Sequence, residues 1–201
     1  MAFTDDVVRC QHPRAGLRAA LLWSVTMAIG MTPCRAAPAQ QPTECELKAA
    51  ILYNLAKFVE WPESTFSSPD APLGIGVLGE DPFGAALPEA VRDRLVAGHP
   101  IEIRRFAQPD AVRGCQVLFI ALPRGEIPRV LRELAPHGVL TVGEGERFAR
   151  AGGVIALVME ENRVAFAINL SAAERANLTL SSKLLRLARR VERWPVAAGN
   201  S

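Results

Sequence analysis

The chain has 201 residues, 49% of them hydrophobic, with 23 Lys and Arg against 21 Asp and Glu for a net charge of +2. That apolar share supports a sizeable core in a domain of ordinary size. The near-neutral balance excludes the broad basic footprint expected of a nucleic-acid or anionic-lipid binder.

The first element is a leader. Arg9, Arg14 and Arg18 precede an uncharged apolar run from Ala19 to Met31. That run matches a secretory h-region and is short for a hydrocarbon core of ~30 Å. Ala37-Pro38-Ala39 fits the small-x-small rule for signal peptidase, so residues 1–39 read as a cleaved export signal and residues 40–201 as a single domain. An uncleaved anchor is the alternative. Without the four arginines and two aspartates of the leader, 19 basic and 19 acidic residues remain. No later stretch reaches the ~18 apolar residues a membrane helix needs, so the exported part is expected to be soluble.

A helix is expected from about Glu44 to Glu60, stopped by Trp61-Pro62, because proline disfavours helical geometry in the residue before it. Leu47, Ile51, Leu55 and Phe58 make one apolar stripe, and Ala50, Leu52, Tyr53, Ala56 and Val59 make most of another. A surface helix shows one stripe. This helix is therefore either sandwiched within the fold or covered by another chain. Strands and helices then alternate. Leu73–Gly79 reads as a strand, and Asp81-Pro82 as a cap opening a helical stretch to about Ala97. Pro100–Phe106 and Gln116–Ala121 read as strands, the second buried on both faces by its unbroken apolarity. Ile127, Val130, Leu131 and Leu134 space as a helix closed by Gly138, and Val139–Val142 is a strand. A helical turn at Glu146–Ala151 precedes strands Val154–Met159 and Arg163–Leu170, joined by a tight turn as an antiparallel hairpin. The end is expected to be helical from about Ser171 to Arg193, interrupted near Asn177–Ser181, with Ser181 or Ser182 capping its second part. Its basic residues, Lys183, Arg186, Arg189, Arg190 and Arg193, read as a solvated helix face. The whole predicts an α/β fold: a three-layer α/β/α sandwich with a mostly parallel, doubly wound sheet, a C-terminal antiparallel hairpin and terminal helices.

The motifs offer little chemistry. Gly74-Ile-Gly-Val-Leu-Gly79 matches G-x-G-x-x-G, but its glycines lie inside a strand and not in the turn after it, so close packing is the better reading. Glu80-Asp81 follows that strand, where acidic pairs can hold a metal, yet Leu122-Pro123 stands where the next ligand would be needed. Asp81 is therefore read as a cap. His99 and His137 precede Pro and Gly in expected turns and share no metal-ligand spacing with Cys, Asp or Glu. There is no G-x-S-x-G elbow and no cysteine with an evident histidine partner. Neither a cofactor, a metal nor an enzymatic activity is expected. Cys45 and Cys115 remain after the leader, and an oxidising compartment lets them pair as a disulfide or stay as two thiols.

Residues 46–62, ELKAAILYNLAKFVEWP, and 166–188, FAINLSAAERANLTLSSKLLRLA, frame Asp81-Pro82-Phe83-Gly84 and Cys115–Ile120. In this order and spacing the chain resembles the YfiR-like family of exported bacterial proteins. The resemblance implies a periplasmic α/β regulator that is not a catalyst. It implies binding to the periplasmic sensor part of an inner-membrane diguanylate cyclase, which lowers cyclic-di-GMP, as well as homodimerisation and dependence on disulfide state. This chain departs from the pattern in its cysteines. Gly76 stands where some members carry a cysteine that pairs with the one before the QVLFI strand. Ala151-Gly152-Gly153-Val154 stands where a second pair would be, leaving only a Cys45–Cys115 link.

Tyr53, Asn54, Lys57 and Trp61, at the end of the over-apolar first helix, are candidate partner-binding residues, although a Trp in Trp61's position is more often core than interface. Asn169, at a strand-to-helix junction, is a candidate for partner contact or for a cap on the segment from Ser171. A contrasting expectation is a periplasmic small-ligand sensor module acting on a membrane receptor or kinase. Its pocket would lie at the strand ends near Gly79–Phe83 and Pro123.

Overall fold

A computed structural model describes residues 42–61, 65–109, 112, 114–135, 138–160 and 163–194. The leader and His137 lie outside them. Eight strands form one sheet in the order β10-β8-β7-β6-β5-β2-β4-β3. Its centre is parallel: β4 (His99–Phe106), β2 (Leu73–Gly79), β5 (Val117–Ala121), β6 (Leu140–Glu144) and β7 (Ile155–Glu160). β7 and β8 (Arg163–Asn169) form the expected antiparallel hairpin, with Ile155 opposite Ile168 and Glu160 opposite Arg163.

Helices cover both faces, as the alternation of elements predicts. On one face lie α1 (Glu44–Lys57), α2 (Ala86–Val91), α5 (Leu170–Arg175) and α6 (Ser182–Leu187). Their Ala49, Leu52, Leu55, Leu87, Ala172 and Leu184 pack on Ile75, Val77, Val117, Phe119, Val142 and Ile168 of the sheet. On the other face, α3 (Ile127–Leu134) and α4 (Glu146–Arg150) set Val130, Leu131, Leu134 and Phe148 against Leu78, Leu118, Ile120 and Ala156. Strand alternation explains the split, since Ile75 and Val77 point one way and Leu78 the other.

α1 is held at its start by a complete capping box. Thr43 accepts from the Glu46 amide, and Glu46 Oε2 accepts from the Thr43 amide at 2.7 Å. Its two apolar stripes are resolved inside the fold: Leu52, Leu55 and Ala56 are buried, and Ile51 and Phe58 pack on the same core. The helix ends at Lys57, three residues earlier than expected. Val59 and Glu60 form the short strand β1, paired antiparallel with Thr179–Leu180 of β9. That pairing with a distant segment satisfies backbone groups that helical continuation would otherwise use.

Two further segments differ from the sequence expectation. Residues 92–97 are not helical. Arg92 leaves helical geometry at ψ 130°, Asp93 has φ 54°, and β3 (Leu95–Val96) turns back onto β4 through Ala97 and Gly98 at φ 51° and 88°. Consecutive positive φ values build a hairpin turn of the type that matches strand twist. The end of the chain is not helical either. After α6, residues Arg190–Glu192 form edge strand β10, parallel to β8. The basic residues there are paired and do not form a free cationic face: Arg189 with Glu160, Arg190 with Glu146 and Glu192, and Arg193 with Glu174.

Candidate partner surface

The sheet reverses its winding at β2, where an open α/β sheet normally leaves a ligand crevice. Gly79, at φ 92°, lies so near the Ala121 carbonyl that a Cβ would collide with it, and the Glu80 amide donates to the same oxygen at 3.2 Å. Asp81 Oδ1 accepts from the Phe83 and Gly84 amides at 2.8 and 3.2 Å, and its Oδ2 accepts from Arg105 Nε at 2.8 Å. Asp81 is thus committed to a turn and to Arg105, and not to the helix it was expected to open: α2 starts at Ala86, with Ala85 at its N-cap and no side-chain cap. The glycines of the G-x-G-x-x-G segment serve packing: a Cβ on Gly74 would strike the Gly114 carbonyl, and one on Gly76 would sit 2.7 Å from Leu118 Cδ1. His99 is equally committed, with Nδ1 2.7 Å from the Ala71 carbonyl and its ring stacked on Phe66 at 3.7 Å. Among the described residues, no three His, Cys, Asp or Glu side chains gather as a metal requires.

Two depressions lie along the strand ends, both lined by Arg124, the neighbour of the expected Pro123, and neither by Gly79–Phe83. A depression of about 320 Å³ lies beyond β6 and β7, lined by Lys48, Arg124, Glu144, Leu157, Met159 and Val164 among others. A neighbouring one of about 420 Å³ is lined by Arg124, Glu144, Gly145, Glu146, Arg147 and Arg150. Lys48 spans Glu44 and Glu144 at 2.6 Å each. Burial lowers its pKa, but the hydrogen bonds to Glu144 and Glu44 outweigh that and leave it raised. Its pairing therefore contributes below the ordinary lysine range and is lost only as pH rises through the raised value.

Tyr53, Asn54 and Lys57 lie on the last turns of α1 and Trp61 just beyond it; of these, Tyr53 and Lys57 are in contact. Asn54 and Lys57 are exposed, whereas the Tyr53 ring is only 7% exposed. Lys57 Nζ lies 5.2 Å from the centre of that ring and the Arg94 guanidinium 4.9 Å, so two cations stand against one aromatic ring. Tyr53 Oη reaches the Leu95 carbonyl at 3.5 Å. Trp61 is half-buried and donates from Nε1 to the Ala56 carbonyl at 3.0 Å, which ties it to the core side of the helix. Sequence reasoning missed Arg94 and Leu95, because it placed residues 92–97 in a helix. Leu95 is 57% exposed on edge strand β3.

Asn169 does not belong to this surface. It is 1% exposed, its Oδ1 accepts from the Ala172 amide at 3.1 Å as the cap of α5, and its Nδ2 donates to the Ala149 carbonyl at 2.8 Å. Both polar ends are used inside the fold, so the capping role holds and the partner-contact role is withdrawn. Asn169→Ala is expected to cost about 2–4 kcal/mol, summing a lost cap and a buried carbonyl left without its donor. Asn169→Asp restores the cap but not the donor, and is expected to recover only part. The urea midpoint at unchanged slope measures both.

The structure does not bring Cys45 to Cys115. Cys115 Sγ lies beside Gly76 on the face that carries Leu118 and Phe106, whereas α1, which bears Cys45, covers the opposite face. Cys115 keeps its thiol, so the Cys45–Cys115 bridge is not formed. Burial pushes the Cys115 thiol up to about 11, against a weaker pull from Arg104. A raised value means stability present below the unfolded thiol's pKa and lost as pH climbs through the folded one. Unfolding scans between pH 9 and 11 are therefore expected to show a fall that Cys115→Ala abolishes, and folded protein is expected to resist alkylation at pH 7.

Among the described residues, no helix is long and apolar enough to cross a membrane. Two solved structures resemble the chain in outline. One is an ABC domain in complex with L-Trp from Streptococcus pneumoniae: 13% identity, TM-score 0.49, 72% of this chain and 62% of that one. The other is a conserved domain protein from Vibrio cholerae O1 biovar El Tor: 11% identity, TM-score 0.48, 74% and 60%. The chain spans about three-fifths of the length of each. The family pattern described as YfiR/HmsC-like matches residues 45–189, from the first turn of α1 to the residue before β10. That match takes in both signature segments and the whole sheet between them, and the chain belongs to the YfiR/HmsC-like family.

Proposed function

We propose that the protein is a periplasmic regulator that binds the periplasmic sensor part of an inner-membrane diguanylate cyclase, or of another membrane signalling protein, and represses it. The observation that carries this reading is the family match over residues 45–189. The mechanism is a population shift: the domain binds the inactive form of the sensor more tightly than the active one. Silencing from 99% active to 1% requires ~5.5 kcal/mol of differential affinity. Repression therefore acts through contact, without chemistry at the domain itself. Homodimerisation belongs to the same reading, as does export by cleavage after residue 39.

Deleting the gene is expected to raise cellular cyclic-di-GMP several-fold. Re-expression with the leader is expected to restore the low level, and expression without residues 1–39 is not. An unchanged level on deletion contradicts the reading.

The depression lined by Lys48, Arg124 and Glu144 favours a second reading, a small-ligand sensor module acting on a membrane receptor or kinase. It predicts a rise in melting temperature with an anionic metabolite that Lys48→Met abolishes.

A further inference from the structure

We propose that the end of α1 and the adjoining β3 hairpin form the docking surface, and that its occupant is an acidic segment of the partner protein carrying one apolar side chain. This deepens the reading above and rests on it: the protein works by binding a membrane signalling protein.

The argument begins with charge. Two cation–ring contacts meet on Tyr53 of α1, from Lys57 at 5.2 Å and Arg94 at 4.9 Å, and a third sets Lys183 at 5.3 Å from Phe58, the residue that caps the helix end. An aromatic face holds a cation in place without neutralising it, because the ring contributes a quadrupole and no net charge. Elsewhere the described cations are commonly spent on carboxylates: Arg105 on Asp81, Arg104 on Glu102, Arg193 on Glu174. At the end of α1 no described carboxylate lies within ion-pair distance of Lys57, Arg94 or Lys183. Three positive charges are thus positioned by rings and left open to an anion.

The apolar element lies beside them. Leu95 stands 57% exposed on β3, the outermost strand of that edge of the sheet. A strand of two residues with a basic neighbour is a poor template for adding another strand. It is a good site for one hydrophobic side chain rimmed by charge, which is the anatomy of a small hot spot. The Tyr53 hydroxyl reaching the Leu95 carbonyl ties helix and strand into one surface, so both parts are presented together.

The same charge argues against a second copy as occupant. A two-fold contact brings identical patches together, and here it would set Lys57 and Arg94 against their own counterparts. An acidic segment removes that repulsion and gains two cations.

The test is site-directed photo-crosslinking in the bacterial host, using the full exported chain. A benzoylphenylalanine at position 95 is compared with one at Arg132, an exposed residue of α3 on the opposite layer. The expected result is an adduct from position 95 alone, mapping by mass spectrometry to an Asp/Glu-containing segment of a membrane protein's periplasmic domain. The double reversal K57E/R94E is expected to cut its yield at least about tenfold, and Lys57→Gln with Arg94→Gln by a smaller factor, as steering charges on a rim do. Circular dichroism melting of the purified variants shows whether they remain folded. Adducts from 132 and not 95, adducts between two copies of this chain, adducts to a segment without carboxylates, or no adduct at all each overturn the surface. An adduct to an acidic segment of a membrane protein that is not a cyclase keeps the surface and removes the cyclase from the functional reading. Cyclic-di-GMP that rises on deletion and is restored by the chain, with no adduct at 95, does the converse.

Discussion

Gly76→Cys is expected to close a disulfide with Cys115 and to raise stability by up to about 4 kcal/mol, the chain-entropy value for a loop of roughly 40 residues. The geometry is already in place. A Cβ built on Gly76 lies 3.0 Å from Cys115 Sγ. That is the spacing from a cysteine's Cβ to its partner's sulfur across an S–S bond of about 2.05 Å. The other close atoms, Leu118 Cδ1 at 2.7 Å and Phe106 Cε2 at 3.0 Å, are the ends of side chains, which can turn aside. Gly76→Ser separates the two effects, since it brings the same crowding and no bond. The serine variant is expected to melt below the parent, and the cysteine variant above it until reductant is added. Alkylation mapping should find the Cys115 thiol consumed only in the cysteine variant. A full thiol at position 115 under oxidising conditions contradicts the prediction.

Phe148→Ala is expected to cost about 3–5 kcal/mol, as large-to-small changes in a closed core do. Its ring, 2% exposed, is clamped between two glycines: a Cβ on Gly143 or on Gly153 would penetrate it. Gly153→Ala is therefore expected to destabilise by about 1–3 kcal/mol through overpacking alone. The two changes oppose each other. In the double variant the new methyl enters the space the ring has left, so its cost should fall below the sum of the singles by more than the ~0.5 kcal/mol that independent sites allow. Simple additivity in guanidinium unfolding would refute the clamp.

These two sites show where the sequence was legible and where it was not. The departure at Gly76 is legible only through the family resemblance, and the structure supplies the reason it matters: Cys115 Sγ stands across from it. The Gly152-Gly153 segment stands out in the sequence only as a missing cysteine pair, because no local pattern reveals that Phe148 of α4 packs against Gly153. The sheet core was plain, since Leu73–Gly79 and Val117–Ala121 are unbroken apolar runs that only a doubly covered strand explains. What failed was tertiary in origin. Residues 92–97 carry helix-compatible side chains, but Ala97 and Asp93 adopt positive φ to make a hairpin, a choice driven by pairing with β4. Arg190–Glu192 follow a helical pattern, yet take strand geometry because β8 offers an unpaired edge. The partner surface was half visible for the same reason. Tyr53, Asn54 and Lys57 share a helix end, whereas Arg94 and Leu95 join them only once β3 has folded back.

The proposed repression has a direct biochemical test. Inner membranes solubilised from a strain lacking the gene retain diguanylate cyclase activity, and purified residues 40–201 can be added to them. The account predicts that conversion of GTP to cyclic-di-GMP falls in a saturable manner, and that K57E/R94E shifts the half-maximal concentration upward at least about tenfold. Cyclase activity that stays constant while the domain is shown to be bound would contradict it.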